Sequence, residues 1–247
     1  MLKQRDELKI LLIQARDDAP TLSEERAEFV RFGKLNDDQL DAINLFDVPS
    51  FDPDIIDGYD ALFVGGSSDA DVLDLDKFPF ITDAERLLVH CFEQNIPVLG
   101  SCYGFQLAVE ALGGKVERSE EYAELYGSGV IEVISDAGND PLFHDMPKTF
   151  RAVALHKDSA TKLPDNVTLL ARSEGCPYHA FKVNGKPFYV TQFHSEIDKK
   201  DFITRIRRYQ ARYVDTSEVL EGLVEDAVDM DDVNSIPWKF IDRIVMK

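Results

Sequence analysis

The sequence is short of cysteine, of positive charge and of long apolar runs, and each shortage excludes a class of protein. Three cysteines, Cys91, Cys102 and Cys176, in 247 residues build no disulfide framework, and no CxxC pair suggests a zinc or redox site. A reducing, cytoplasmic setting fits this usage. No apolar run approaches the ~20 residues that cross a bilayer, and the charged start, Met1 to Leu8, leads into only a short apolar run, so the long apolar stretch of a signal peptide is not expected there. Only 27 lysines and arginines stand against 46 aspartates and glutamates, for a formal charge of −19. Such a field repels phosphate backbones and anionic headgroups, so neither nucleic acid nor a membrane surface is an expected partner. There is no Gly-x-x-x-x-Gly-Lys-Ser/Thr loop for nucleotide phosphates and no histidine pair with metal-ligand spacing, so neither a nucleotide nor a metal cofactor is expected. Internal repeats and Gly-, Pro- or Ser-rich linkers are missing too.

What is present is ordinary globular material, 44% hydrophobic and 30% charged, enough for one large α/β domain over 1–247. Ile10 to Ile13 is a short apolar run of the kind buried on both faces of a parallel sheet. Thr21 with Glu24 forms a capping-box pattern that predicts a helix through Phe32, and Thr82 with Glu85 predicts a second. Strands are expected at Ile43 to Phe46, at Ala61 to Val64 ending on Gly65-Gly66, and at Pro97 to Leu99. This alternation predicts a doubly wound, mostly parallel central sheet with helices on both faces. Beyond Gly113-Gly114 the strand-like runs at Val130 to Ile134, Arg151 to Leu155, Val167 to Ala171, Ala180 to Val183 and Phe188 to Phe193 read as antiparallel additions. Asp198 to Val214 reads as a helix with a basic solvated face, followed by an acidic helical extension over 215–247. Trp238, Phe240, Ile241, Ile244 and Val245 are too apolar for a disordered tail, so the extension is expected to dock.

The segment Val98 to Leu107 carries the chemistry. A buried strand runs into Gly100-Ser101-Cys102-Tyr103-Gly104 and then into a helical pattern, which is a nucleophile elbow with sulfur in the serine's place. The turn is so tight that its flanking positions tolerate little side chain, hence the glycines. A helix N-terminus also favours a thiolate. A buried cysteine in an ordinary strand-to-helix turn fits this pattern equally well.

A second element separates the two. Phe188 to Glu196 is a β-rich run ending in His194-Ser195-Glu196, and residues i and i+2 of an extended chain share a face. The Glu196 carboxylate can therefore hold one ring nitrogen of His194 protonated while the other faces sulfur. His90, His144 and His179 have no carboxylate two residues on and read as structural.

Gly100 to Gln106 resembles the nucleophile motif of the class I glutamine amidotransferases, and Gln192-Phe193-His194-Ser195-Glu196 resembles their Gln-Phe-His-Pro-Glu block, in the family's order. Val64-Gly65-Gly66 is similar to the family's oxyanion strand, Leu155-His156-Lys157-Asp158 to its His-Gly-Asp loop, and Cys176-Pro177 with Ala180-Phe181 to the stand-alone, GMP-synthase-like branch. The resemblance implies a flavodoxin-like fold, Cys102 as nucleophile, His194 as base and Glu196 as its orienter. It also implies an oxyanion hole from the backbone N–H groups of Gly66 and Tyr103, substrate contacts at Gln106, His156, Lys157 and Asp158, and no cofactor. Three residues depart from the family's pattern. Ser195 replaces a proline and is expected to loosen its loop, Ser67 replaces the proline after the glycine pair and is expected to loosen that turn, and Lys157 replaces a glycine beside the substrate.

The implied reaction is hydrolysis of the glutamine carboxamide through a γ-glutamyl thioester, releasing ammonia either to an acceptor on a separate synthetase subunit or to no partner at all. A γ-glutamyl peptidase with the same three residues is the alternative, and a catalytically silent regulatory subunit is the rival from another class.

Overall fold

A computed structural model describes residues 3–119, 121–210 and 216–247. The first half alternates strand and helix: β1 (Ile10–Gln14), α1 (Ala19–Gly33), β2 (Leu40–Asn44), β3 (Ala61–Val64), α2 (Phe80–Gln94), β4 (Val98–Ser101) and α3 (Tyr103–Ala111). Then come β5 (Lys115–Arg118), β6 (Glu124–Val133), β7 (Thr149–His156), β8 (Asp158–Lys162), β9 (Val167–Arg172), β10 (Ala180–Val183) and β11 (Phe188–Thr191). The chain closes with α4 (Lys199–Arg208), α5 (Ser217–Glu225), α6 (Asp231–Asn234) and α7 (Ile236–Phe240).

Among the described residues, nine strands form one sheet in the order β2-β1-β3-β4-β11-β10-β9-β6-β7. The first five pair in parallel and the remaining pairings are antiparallel. The run from Phe188, read from the sequence as an antiparallel addition, instead supplies β11 of the parallel part: Phe188 to Thr191 register in parallel on Val98 to Ser101 of β4, and only the other edge of β11, on β10, is antiparallel. Alternation along the strands explains the unbroken apolar runs. Ile10 and Leu12 of β1 face one core, with Phe29 of α1 and Phe240 of α7, whereas Leu11 and Ile13 face the other, with Leu87 of α2 and Phe105 of α3. β5 and β8, which were not anticipated, pair as a separate two-stranded ribbon.

Several boundaries differ from expectation. The first helix is capped by Asp18, whose carboxylate accepts from Thr21 N at 3.0 Å, with Pro20 in the first turn; Thr21 is already inside the helix. The second begins at Phe80 after Pro79 without a side-chain cap, so Thr82 is not its cap either. β2 starts three residues earlier than predicted, because its register on β1 begins with Leu40 opposite Ile10. α4 ends at Arg208 with Tyr209 as its C-cap, short of the expected Val214; residues 211–215, which hold the rest of that run and the start of the extension at Asp215, lie outside the described residues. From Ser217 onward the extension packs on the sheet, with the Phe240 ring against Phe63 and Tyr189. No helix among the described residues is long and apolar enough to cross a membrane.

Candidate active site

Three adjacent parallel strands end side by side. β3 runs into Gly65-Gly66, β4 into Cys102 and β11 into Gln192-Phe193-His194, with Val64 opposite Gly100 and Ser101 opposite Thr191. The carboxyl ends of neighbouring parallel strands are where open α/β sheets form their clefts. That register alone brings residues almost a hundred positions apart to one edge.

Cys102 occupies the turn between β4 and α3 with φ 51° and ψ −95°, in the left-handed half of backbone space that non-glycine residues avoid. Its N–H is tied to Thr191 O at 2.8 Å. The flanking glycines are required by close approach: a Cβ on Gly104 would lie 2.7 Å from Val64 O, and one on Gly100 2.9 Å from Val190 Cγ1. As the first residue of α3, Tyr103 has a backbone N–H that finds no acceptor within the helix.

The His194 Nδ1 to Glu196 Oε1 distance is 2.6 Å, and Cys102 lies close enough to the imidazole to act on its charge. Burial disfavours the charged ring, but the Glu196 carboxylate and then Cys102 outweigh it and push His194 up to about 10. Burial likewise opposes charge on Glu196, and His194 overcomes this to lower its pKa, helped by the hydrogen bond from Ser101 Oγ to Glu196 Oε2 at 2.8 Å. Ser101 was not singled out from the sequence. Its position beside the cysteine is the only sequence signal, since the carboxylate it meets is 95 residues away.

Of the two amides expected to serve an oxyanion, that of Gly66 already has a partner. Gly66 N–H donates to the buried Glu25 carboxylate at 3.1 Å. Glu25 in turn receives Arg16 and Gln14, forming a knot under the turn. The expected looseness at Ser67 is also overturned. Its hydroxyl donates to Ala15 O at 2.7 Å and accepts from Ala70 N at 2.8 Å and Asp69 N at 3.0 Å, so a side-chain turn replaces the stiffness of a proline. The loop at Ser195 is not loose either: the Asn234 side-chain amide donates to Ser195 O and Ile197 O, each at 3.0 Å.

A cavity of about 260 Å³ opens beside Cys102, and Gln106, His156, Lys157 and Asp158 all line it. The structure thus gathers the four expected substrate contacts around the thiol. Their polar groups are partly engaged: Gln106 Nε2 donates to Asp158 O at 2.7 Å, and the Asp158 carboxylate is bridged by Arg118. His156 is buried against Glu124, which also meets His179 Nε2 at 2.8 Å and Ser173 Oγ at 2.6 Å. His179, read as structural, therefore belongs to a polar network behind the cavity wall. Among the described residues, no group of three or more His, Cys, Asp or Glu side chains is arranged to hold a metal ion.

Fold and site together define an α/β protein whose strand-to-helix elbow carries a cysteine opposite a histidine–carboxylate pair. The family model "Glutamine amidotransferase class-I" matches residues 44–209, and the chain belongs to that family. Over 115 residues it is 40% identical to one subunit of the glutamine-hydrolyzing GMP synthase of Pyrococcus abyssi, covering 47% of this chain and 58% of that protein. Over 124 residues it is 36% identical to a glutamine-hydrolyzing GMP synthase of Thermosipho melanesiensis, covering 50% of this chain and 23% of the relative. The chain thus matches 58% of the length of the first relative and 23% of the second. In fold it is similar to a glutamine amidotransferase of Thermotoga maritima, with TM-score 0.75 at 20% identity over 97% of this chain and 99% of that one.

Proposed function

We propose that the protein hydrolyses the γ-carboxamide of glutamine through a thioester on Cys102, releasing ammonia. The observation that carries this reading is Cys102 at the head of α3, beside a His194 held by Glu196 at 2.6 Å. Sulfur attacks the amide carbon while the imidazolium of His194 gives its proton to the nitrogen, and the C–N bond breaks to leave ammonia and a γ-glutamyl thioester. His194 then takes a proton from water, whose oxygen attacks the thioester; the C–S bond breaks and glutamate leaves. Glu196 orients the ring and stabilises its charged form. The Tyr103 N–H at the head of α3 serves the developing oxyanion, with Gly66 joining once its amide turns from Glu25. Removing one such donor commonly costs ~10²–10³ in rate.

The names of the relatives support a setting in which the ammonia passes to a synthetase partner, since a protein named as one subunit of a synthase implies another. One observation favours the γ-glutamyl peptidase alternative: Lys157 lines the cavity where the family has glycine. Steady-state rates with glutamine, γ-glutamyl dipeptides and glutathione decide between them. Glutamine turnover that rises when a synthetase is added supports the first reading. A preference for γ-linked peptides that Lys157→Gly shifts back toward glutamine supports the second. A folded protein that turns over none of these compounds, with Cys102 unreactive, removes both.

A further inference from the structure

The C-terminal extension lies beyond the family-matched residues 44–209, yet it reaches the loop that carries His194 and Glu196. Asn234, the last residue of α6, is buried, and its two amide hydrogens go to the carbonyls of Ser195 and Ile197, the residues on either side of Glu196. Before His194 this loop is anchored to the sheet, by His194 N to Val153 O at 2.9 Å and Thr191 Oγ1 to Phe193 O at 2.8 Å. Past His194 the restraints are of another kind. Ser101 holds the Glu196 carboxylate, Asn234 holds the backbone, and the buried Ser195 hydroxyl finds no partner among the described residues and contributes no lock of its own. Asn234 is itself well fixed, with its N–H on Met230 O at 3.0 Å and the fully buried Val233 and Ile236 close by in sequence.

We propose that Asn234 is a positioning residue for the His194–Glu196 pair, supplying from the extension the restraint that the family resemblance assigns to a proline at the position of Ser195. The proposal rests on the reading of Cys102, His194 and Glu196 given above. Two buried carbonyls released together would let the backbone around Glu196 shift, and a carboxylate displaced from Nδ1 no longer orients the ring. Asn234 does not line the cavity beside Cys102, so its loss acts on turnover and not on substrate binding.

The test uses the full chain with Asn234→Ala, reading kcat and KM for glutamine and the pH profile of Cys102 alkylation by iodoacetamide. Misplacement of a catalytic group by a distant change costs up to ~10²-fold, so kcat should fall ~10- to 100-fold with KM within about threefold. The alkylation profile should move toward that of His194→Ala. Adding Ser195→Pro should recover part of the lost rate and move the profile back, which a general loss of packing would not allow. Asn234→Asp is nearly isosteric, cannot donate to both carbonyls and should reproduce the defect, so the proposal stays testable if the alanine variant does not fold. Wild-type kcat and pH profile in either folded variant overturn it, as does a defect that Ser195→Pro leaves untouched. The underlying reading fails by a different sign: His194→Ala then alkylates with the wild-type profile.

Discussion

Gly66 donates its backbone N–H to Glu25 at 3.1 Å, so the amide that the family resemblance assigns to an oxyanion is already bonded to a carboxylate. Glu25 is fully buried; its other oxygen takes Gln14 Nε2 at 2.9 Å, and Arg16 neutralises it. A second anion at the same amide must displace the first. On the proposed reaction, the turn after β3 therefore changes before both oxyanion donors act.

Removing Glu25 breaks its ion pair with the buried Arg16 guanidinium. Glu25→Ala is expected to lower stability by ~3–5 kcal/mol, the usual cost of breaking a buried pair. Glu25→Gln keeps an acceptor for Gly66 and Arg16 and should cost less. Urea unfolding curves measure both, and an unchanged midpoint in the alanine variant contradicts the ion-pair account.

Gly66 also touches the histidine. A Cβ there would lie 2.5 Å from His194 Cε1, inside any real contact. Gly66→Ala is expected to displace the ring and to cost at least ~10²-fold in kcat, with the fold kept. Near-normal turnover together with a wild-type thermal transition would count against the placement of His194.

Among the three cysteines, an electrophilic glutamine analogue should label Cys102 alone. Burial pushes the Cys91 and Cys176 thiols up to about 12, so neither presents a thiolate near neutral pH. Peptide mass mapping reads the result. Stoichiometric label on either of the other two, with Cys102 free, reverses the assignment.

Alkaline pH should uncouple the His194–Glu196 pair. The folded value of about 10 lies above the ordinary 6.5, so the pair's stabilisation is complete below about 6.5 and is lost as pH rises through about 10. Glu196→Gln should flatten that part of the stability profile and reduce turnover less than His194→Ala, because the carboxylate orients while the ring transfers the proton. Equal losses of single-turnover thioester formation would show that Glu196 does more than orient.

Glu124 contributes on the acid side. Burial opposes its charge, but hydrogen bonds from His156 and His179, then Ser173, outweigh this and hold the carboxyl well below its ordinary 4.5. Its contribution is therefore present above about 4.5 and is lost as pH falls below that value. Glu124→Gln should show a shallower decline of stability with acid, read by urea unfolding at stepped pH.

How much of this was legible in the sequence follows from how far each interaction reaches along the chain. Ile10 to Ile13, Ala61 to Val64 and the elbow at Cys102 were readable because strand burial and a tight turn are local constraints, written in neighbouring residues. His194 and Glu196 were readable as a pair because they lie two positions apart at a strand's end. Local patterns misled where two were available: Thr21 with Glu24 has the form of a cap, but Asp18 and Pro20 set the start of the helix earlier. What the tertiary structure alone decided are the long-range bonds. Ser101 to Glu196, Glu25 to Gly66 and Asn234 to Ser195 join residues 39 to 95 positions apart, brought together by sheet order and by the packing of the extension. A hydrogen bond acts over about 3 Å in space and is blind to sequence distance, so no spacing pattern announces it.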